Sequence, residues 1–261
     1  MDNNIRYGFL NSSNDNVTVK MKKGQNIAGY PIGIIYIDDV YYPMLPGNIV
    51  NGYTFDFPVR LKAVQGLDCA NLFNVADGVY ENVLATCKKL KAEGVRAISS
   101  ACGFFGNYQS RIADEIDIPV ALSSLVQLPW IASILKEDQP IGVLTAQKDS
   151  FTDNLLNSCG VNDALKQRLI VKDLGHEPQF SCIIEGRGEF DNNLVCKEVV
   201  GKALQIIEEF PNTGAILLEC SDMPPYAYAV QAATQLPVFD FTTLIRWLYF
   251  SVTQTPYSGF I

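Results

Sequence analysis

The chain has 261 residues, 48% of them hydrophobic and 18% charged, with 28 acidic against 20 basic side chains and a formal net charge of -8. A chain of this size and apolarity builds one large or two small cored domains. Its acidity excludes a general polyanion-binding surface, which needs clustered Lys and Arg, and the one basic cluster, Lys20, Lys22 and Lys23, is too short to supply one, so no nucleic-acid partner is expected.

In chain order, residues 1–31 show neither helical nor strand periodicity and read as an N-terminal appendage. Their start, "MDNNIRYGFLNSSNDN", lacks the basic region and apolar run of an export signal, and no segment reaches eighteen uninterrupted apolar residues. A cytoplasmic protein with no membrane partner is the expectation. "IGIIYID" (32–38) predicts a first strand, and "PGNIVNG" (46–52) after it is a turn-rich loop of the kind that often carries binding residues, here Asn48. "DGVYENVLATCKKLKAEG" (77–94) has apolar residues at helical spacing. Strands follow at "VRAISSA" (95–101), "IPVALSS" (118–124), "IGVLTA" (141–146) and "RLIVKDL" (168–174). "EPQFSCIIEGRGEF" (177–190) reads as a loop, "NNLVCKEVVGKALQIIEEF" (192–210) as a helix, and "GAILLE" (214–219) and "LPVFDF" (236–241) as the last strands. Near-continuous apolar strands alternating with amphipathic helices predict an α/β fold with parallel sheets covered on both faces.

The chain also repeats itself. Laying Cys102 on Cys220 aligns "GVRAISSACGFFGNYQSRIADEIDIPVALSSLVQLPWI" with "NTGAILLECSDMPPYAYAVQAATQLPVFDFTTLIRWLY" without a gap, and puts Pro119-Val120 on Pro237-Val238. Each copy reads strand, cysteine, helix, a Pro-Val strand and a hydroxyl pair, Ser123-Ser124 in one and Thr242-Thr243 in the other. Two pseudo-symmetric α/β halves are predicted, 32–139 and 140–261, joined near "EDQP" (137–140), with the C-terminal helix free to cross back onto the first half.

Seven cysteines at scattered spacings, with neither CxxC nor CxxxH, exclude a disulfide framework or structural zinc as the expectation. Cys69, Cys87, Cys159, Cys182 and Cys196 have no symmetric partners and read as filler or surface thiols. Cys102 and Cys220 differ because each ends a strand, where open α/β sheets bind ligands. Each also precedes a helix whose free N–H groups are expected to lower the thiol pKa from about 8.5 toward neutrality, although Glu219 and Asp222 beside Cys220 oppose this. If the two halves pack face to face, the two thiols look at each other across a cleft, a geometry for moving a proton with one as base and the other as acid. Of Asp38 and Asp39, adjacent in a strand, only one can face a cleft. His176, the lone histidine, reads as solvent-facing. Phe104, Phe105 and Tyr108 read first as packing residues.

"AISSACGF", "GVLTA", "AILLECSDMPPY" and "LPVFD" resemble the aspartate/glutamate racemase superfamily over nearly the whole chain from residue 32. The resemblance implies a cofactor-independent enzyme in which Cys102 and Cys220 exchange the proton next to the carboxylate of a small substrate. It also implies substrate contacts from Asp38, Thr145 and Ser221. Gly103 and Phe104 stand where the amino-acid racemases carry Asn-Thr. With "PMLPGNIVNGYTFDFPV", "CGFFGNYQ", "ALSSLVQLPW" and "ECSDMPPY", the chain looks more like the branch containing the algal dimethylsulfoniopropionate lyases. The substrate-binding set is thus Asp38, Asn48, Gly103, Phe104, Ser123, Thr145, Ser221 and Asp222, with no metal and no cofactor. Three functions stand: a racemase or epimerase of an acidic amino acid or related carboxylate, foremost; a β-eliminating lyase; and a non-catalytic carboxylate-binding module. A homodimer is open to each.

Overall fold

The computed structural model describes residues 18, 21, 23 and 25–261, so most of the N-terminal appendage lies outside the described residues. Among them, eight strands form two four-stranded parallel sheets with helices on their faces. The first half runs β1 (Ile32–Asp39), β2 (Val59–Asp68), α1 (Cys69–Phe73), α2 (Val79–Ala92), β3 (Ala97–Ala101), α3 (Gln109–Glu115), β4 (Val120–Ala121) and α4 (Leu128–Ser133). The second runs β5 (Ile141–Thr145), α5 (Asp153–Ser158), α6 (Asp163–Lys166), β6 (Leu169–Asp173), α7 (Phe180–Ile184), α8 (Asn192–Glu209), β7 (Ala215–Leu218), α9 (Ala227–Thr234), β8 (Val238–Phe239) and α10 (Phe241–Val252).

The strand orders, β2-β1-β3-β4 and β6-β5-β7-β8, are the same order met twice. The equal cysteine-to-Pro-Val spacing appears as equal register: Ile98 N donates to Pro119 O at 2.9 Å, and Ile216 N donates to Pro237 O at 2.9 Å. The inner strands β5 and β7 are buried along their whole length, which is why they read as unbroken apolar runs.

Two sequence expectations need correction. Strand β2, "VRLKAVQGLD", was not predicted, because Arg60 and Lys62 break its apolar character. It is an edge strand, and both cations bind Glu93 just past α2, at 2.7 and 2.5 Å, an arrangement that also blunts the open edge. The loop expected over 177–190 contains α7, too short for periodicity to show. Its start is held from outside: the Glu198 carboxylate of α8 accepts from Gln179 N at 2.9 Å and Phe180 N at 2.8 Å.

The halves are tied together in two places that matter for the site. Helix α10 lays Phe241, Leu244, Ile245 and Leu248 onto Ile32, Ile34 and Ala97 of the first sheet. Its start is fixed by a capping box between Asp240 and Thr243. Ser124 Oγ, from the first half, bonds the carbonyls of Leu218 and Glu219 at 3.2 and 3.1 Å, pinning the end of β7. No helix among the described residues is long and apolar enough to cross a membrane.

Candidate active site

In each sheet the strand order reverses between the two inner strands, so a crevice opens at their carboxyl ends. One cavity fills both crevices. Its wall is made by Tyr36, Ile37, Val40 and Tyr42 from the end of β1 and beyond, Ala101 to Phe104 from the last residue of β3 onward, Ala146 after β5, and Glu219 to Asp222 after β7. Cys102 and Cys220 therefore face the same space from equivalent positions, 8% and 5% exposed.

Each sulfur accepts the backbone N–H two residues on, from Phe104 to Cys102 and from Asp222 to Cys220. Those bonds favour the thiolate, although only Cys102 caps a helical turn, Gly103–Tyr108; after Cys220 the first helical turn begins at Pro224, which corrects the expected helix start there. Both bonds are outweighed. Burial first, then Glu219, holds the Cys102 thiol well above its ordinary range, and burial, Asp222 and Glu219 do the same at Cys220. The expected lowering is thus corrected: both thiols rest protonated. Cys220 Sγ donates to Asp222 Oδ2 at 3.5 Å.

The two carboxylates share one cause. Burial pushes Asp222 up to about 6, against hydrogen bonds from Tyr42, Cys220 and Asn48 that favour its charge. Burial likewise pushes Glu219 up to about 7, although Thr145 Oγ1 donates to its Oε2 at 3.0 Å and the Ala146 N–H also favours the ion. Glu219 Oε1 has no hydrogen-bond partner. Gly103 is the reason it fits: a Cβ there would lie 1.6 Å from Oε1.

Asn48 reaches the site on a stiff loop. Its Nδ2 donates to Asp222 Oδ1, and its Oδ1 accepts from Val50 N at 2.9 Å. Asn51 Nδ2 donates to Met44 O at 2.7 Å, and Thr54 Oγ1 accepts from Gly47 N at 3.0 Å. Gly47 has φ +103° and lies so close to Pro225 that a Cβ would fall 2.9 Å from its Cα.

Of the expected substrate-binding residues, the structure brings Asn48, Gly103, Phe104, Ser221 and Asp222 to the cavity wall with both thiols. Three others lie elsewhere. Asp38 sits where the β1–β2 register shifts, is exposed, and accepts from Gly66 N at 3.1 Å, so its carboxylate closes the bulge instead of facing the cavity. Ser123 is buried and accepts from Leu125 N at 3.3 Å, capping the turn 124–127. Thr145 is buried and does not line the cavity; its hydroxyl donates to Glu219 Oε2 and accepts from Gln147 N at 3.4 Å. Nothing in the sequence marks Tyr42 or Cys69 for the site, and Glu219 reads there only as a charge beside Cys220. Cys69, read as filler, lines the cavity and is pushed up to about 11 by burial, then by Asp222. The signal for Glu219 was present: an acid ending an apolar strand. Cys69 follows directly on the unpredicted β2, so nothing placed it. His176 is solvent-facing, with 83% of its side chain exposed.

No family model matches the chain. It is 32% identical over 243 residues to dimethylsulfoniopropionate lyase 7 of Emiliania huxleyi, covering 89% of this chain and 70% of that protein. The dimethylsulfoniopropionate lyase of Durusdinium sp. clade D is 32% identical over 224 residues, covering 84% and 73%. The chain belongs to the dimethylsulfoniopropionate lyase family. Its fold is shared with solved racemases. An aspartate racemase homologue from Pyrococcus horikoshii OT3 superposes with a TM-score of 0.53 at 16% identity, covering 87% of this chain and all (100%) of that one. Allantoin racemase from Klebsiella pneumoniae gives 0.59 at 14%, covering 84% and 86%. Membership of the dimethylsulfoniopropionate lyase family makes the chain an enzyme.

The buried carboxyl in this lyase-family site has a consequence for stability. Glu219 moves from 4.5 to about 7 on folding, so the folded chain binds this proton more tightly than the unfolded chain. Its contribution is favourable below about pH 4.5 and is lost as pH rises to about 7, a swing of roughly 3 kcal/mol. Urea unfolding at pH 5 and pH 8 should show the native chain losing more stability over that interval than Glu219→Gln. Equal losses in the two proteins would refute the assignment.

Proposed function

We propose that the chain is a carbon-sulfur lyase that removes the proton α to a carboxylate and expels a β-sulfonium group, with dimethylsulfoniopropionate or a near relative as substrate. The observation that supports this reading over an acidic amino-acid racemase is the charge of the cavity. Among the described residues lining it are Glu219 and Asp222 and no Lys, Arg or His. A dicarboxylate would enter against two buried acids with no counter-charge. A sulfonium zwitterion brings its own cation, for which carboxylates and the faces of Tyr36, Tyr42, Phe73 and Phe104 are suited.

Cys220 is the base in this reading, because it alone of the two thiols donates to a carboxylate. Its proton passes to Asp222 and the thiolate takes the α proton. The C–H electron pair becomes the new C=C bond, the β C–S bond breaks, and the sulfur keeps the C–S bonding pair and leaves as neutral dimethyl sulfide. Acrylate and one proton complete the balance, the proton leaving from Asp222. The carboxylate of the substrate, where charge builds up, is held by backbone N–H groups after the cysteines and by Ser221, each well-placed donor contributing about 3 to 4 kcal/mol. Cys102 faces the substrate from the other wall.

Racemisation, the second reading, draws support from the equivalent placement of the thiols. Incubation in heavy water separates the two. The lyase converts the sulfonium substrate to acrylate and dimethyl sulfide and leaves the α positions of aspartate and glutamate undeuterated. Deuterium at the α carbon of both enantiomers of either amino acid, without alkene, would overturn the proposal.

A further inference from the structure

Among the described residues, two buried side-chain polar atoms lack a hydrogen-bond partner, the Tyr108 hydroxyl and Glu219 Oε1. Only Glu219 lines the cavity. A buried polar atom left unpaired costs about 1–3 kcal/mol, more when charged, so its retention calls for a ligand or a function. The two acids of the cavity differ in this respect. Asp222 is engaged by Tyr42, Asn48 and Cys220. Glu219 spends Oε2 on Thr145 and keeps Oε1 free, wholly buried, against the one residue that leaves it room, Gly103. The titratable groups around it are Cys102, Cys159, Cys220 and Asp222, and none supplies a positive charge.

We propose that Glu219 is the specificity-determining residue of the site, its free oxygen being the counter-ion of the positively charged β group of the substrate. The assignment rests on the sulfonium-lyase reading and adds which acid reads the cation. Asp222 serves the proton of Cys220, while Glu219 discriminates a charged leaving group from a neutral one of the same shape. A sulfonium centre cannot donate a conventional hydrogen bond, so an acceptor left unpaired loses nothing by facing it. A neutral group in the same place would leave the ion buried and uncompensated.

Binding measured apart from turnover tests this. Calorimetry with the full chain carrying Cys220→Ser compares dimethylsulfoniopropionate with its uncharged isostere, in which CH replaces the sulfonium sulfur. The expected result is a preference for the sulfonium on the order of 10-fold or more, abolished by adding Glu219→Gln while affinity for the isostere is kept. A preference that survives Glu219→Gln overturns the assignment and leaves the lyase reading standing. No binding of either ligand overturns both. A second measurement needs no substitution at Glu219. At pH 7, ionising a carboxyl that titrates near 7 releases about half a proton when the sulfonium binds, against about a tenth from Asp222 at about 6. Calorimetry in buffers of different ionisation enthalpy reads that number, and release no greater for the sulfonium than for the isostere refutes the role.

Discussion

Cys220→Ser is expected to lower the rate of β-elimination by about 10³-fold or more, with the fold retained, while Cys102→Ser costs a smaller factor. Removing a positioned general base costs typically about 10²–10⁴ in rate, and a serine hydroxyl is a far weaker base than a thiolate. The asymmetry follows from the surroundings of the two sulfurs. Cys220 Sγ has a carboxylate acceptor for its proton in Asp222 Oδ2, and Asp222 titrates near 6. Cys102 has Glu219, Cys69 and Asp222 as electrostatic neighbours but no carboxylate accepting its proton, with only the Phe104 N–H favouring its thiolate. Elimination needs one proton removed and none returned to carbon, so one thiol suffices. Acrylate formation and α-proton exchange measured in both variants decide the point. Equal collapse of both activities in both variants would favour two-base racemase chemistry, and full activity in Cys220→Ser would end its role as base.

The second large effect is expected from Gly103→Ala, the addition of one carbon. Its Cβ would stand 1.6 Å from Glu219 Oε1, 2.4 Å from Cδ and 2.8 Å from the Glu219 carbonyl oxygen. Glu219 is 0% exposed, its Oε2 is held by Thr145, and its carbonyl is held by Ser124, so it has nowhere to retreat. The strain passes to the segment after β3, which carries Cys102. Overpacking of this kind costs about 1–3 kcal/mol of stability, and a shift of about 1 Å in the site costs on the order of 10²-fold in turnover. Urea unfolding and elimination rates check both. Adding Glu219→Ala should return part of the stability, because it removes Oε1 and Cδ but not the carbonyl, making the pair non-additive. A Gly103→Ala protein as stable and active as the native chain would show that the site gives way easily.

The parallel α/β halves and the position of both cysteines were legible in the sequence because they depend on local pattern. An inner strand of a covered sheet must be nearly continuously apolar, and 32–37, 141–144 and 215–218 are, while 97–101 is broken only by the buried Ser99 and Ser100. The repeat was legible because equal spacing from cysteine to Pro-Val imposes equal register, which the matched bonds from Ile98 and Ile216 display. Strand β2 was hidden because its character comes from the partner of its cations, Glu93, 33 residues from Arg60. Asp38 could not be assigned a direction, since a bulge turns it toward Gly66. The charge state of the thiols lay further out of reach. A helix start beside a cysteine is visible in sequence, but the desolvation that outweighs it, and the placing of Glu219 against Gly103 and near Cys102 from the other half, exist only once two segments more than a hundred residues apart close one cavity. Sequence determined which residues stand at the strand ends; the tertiary structure decided their protonation, because burial and charge act through space and not along the chain.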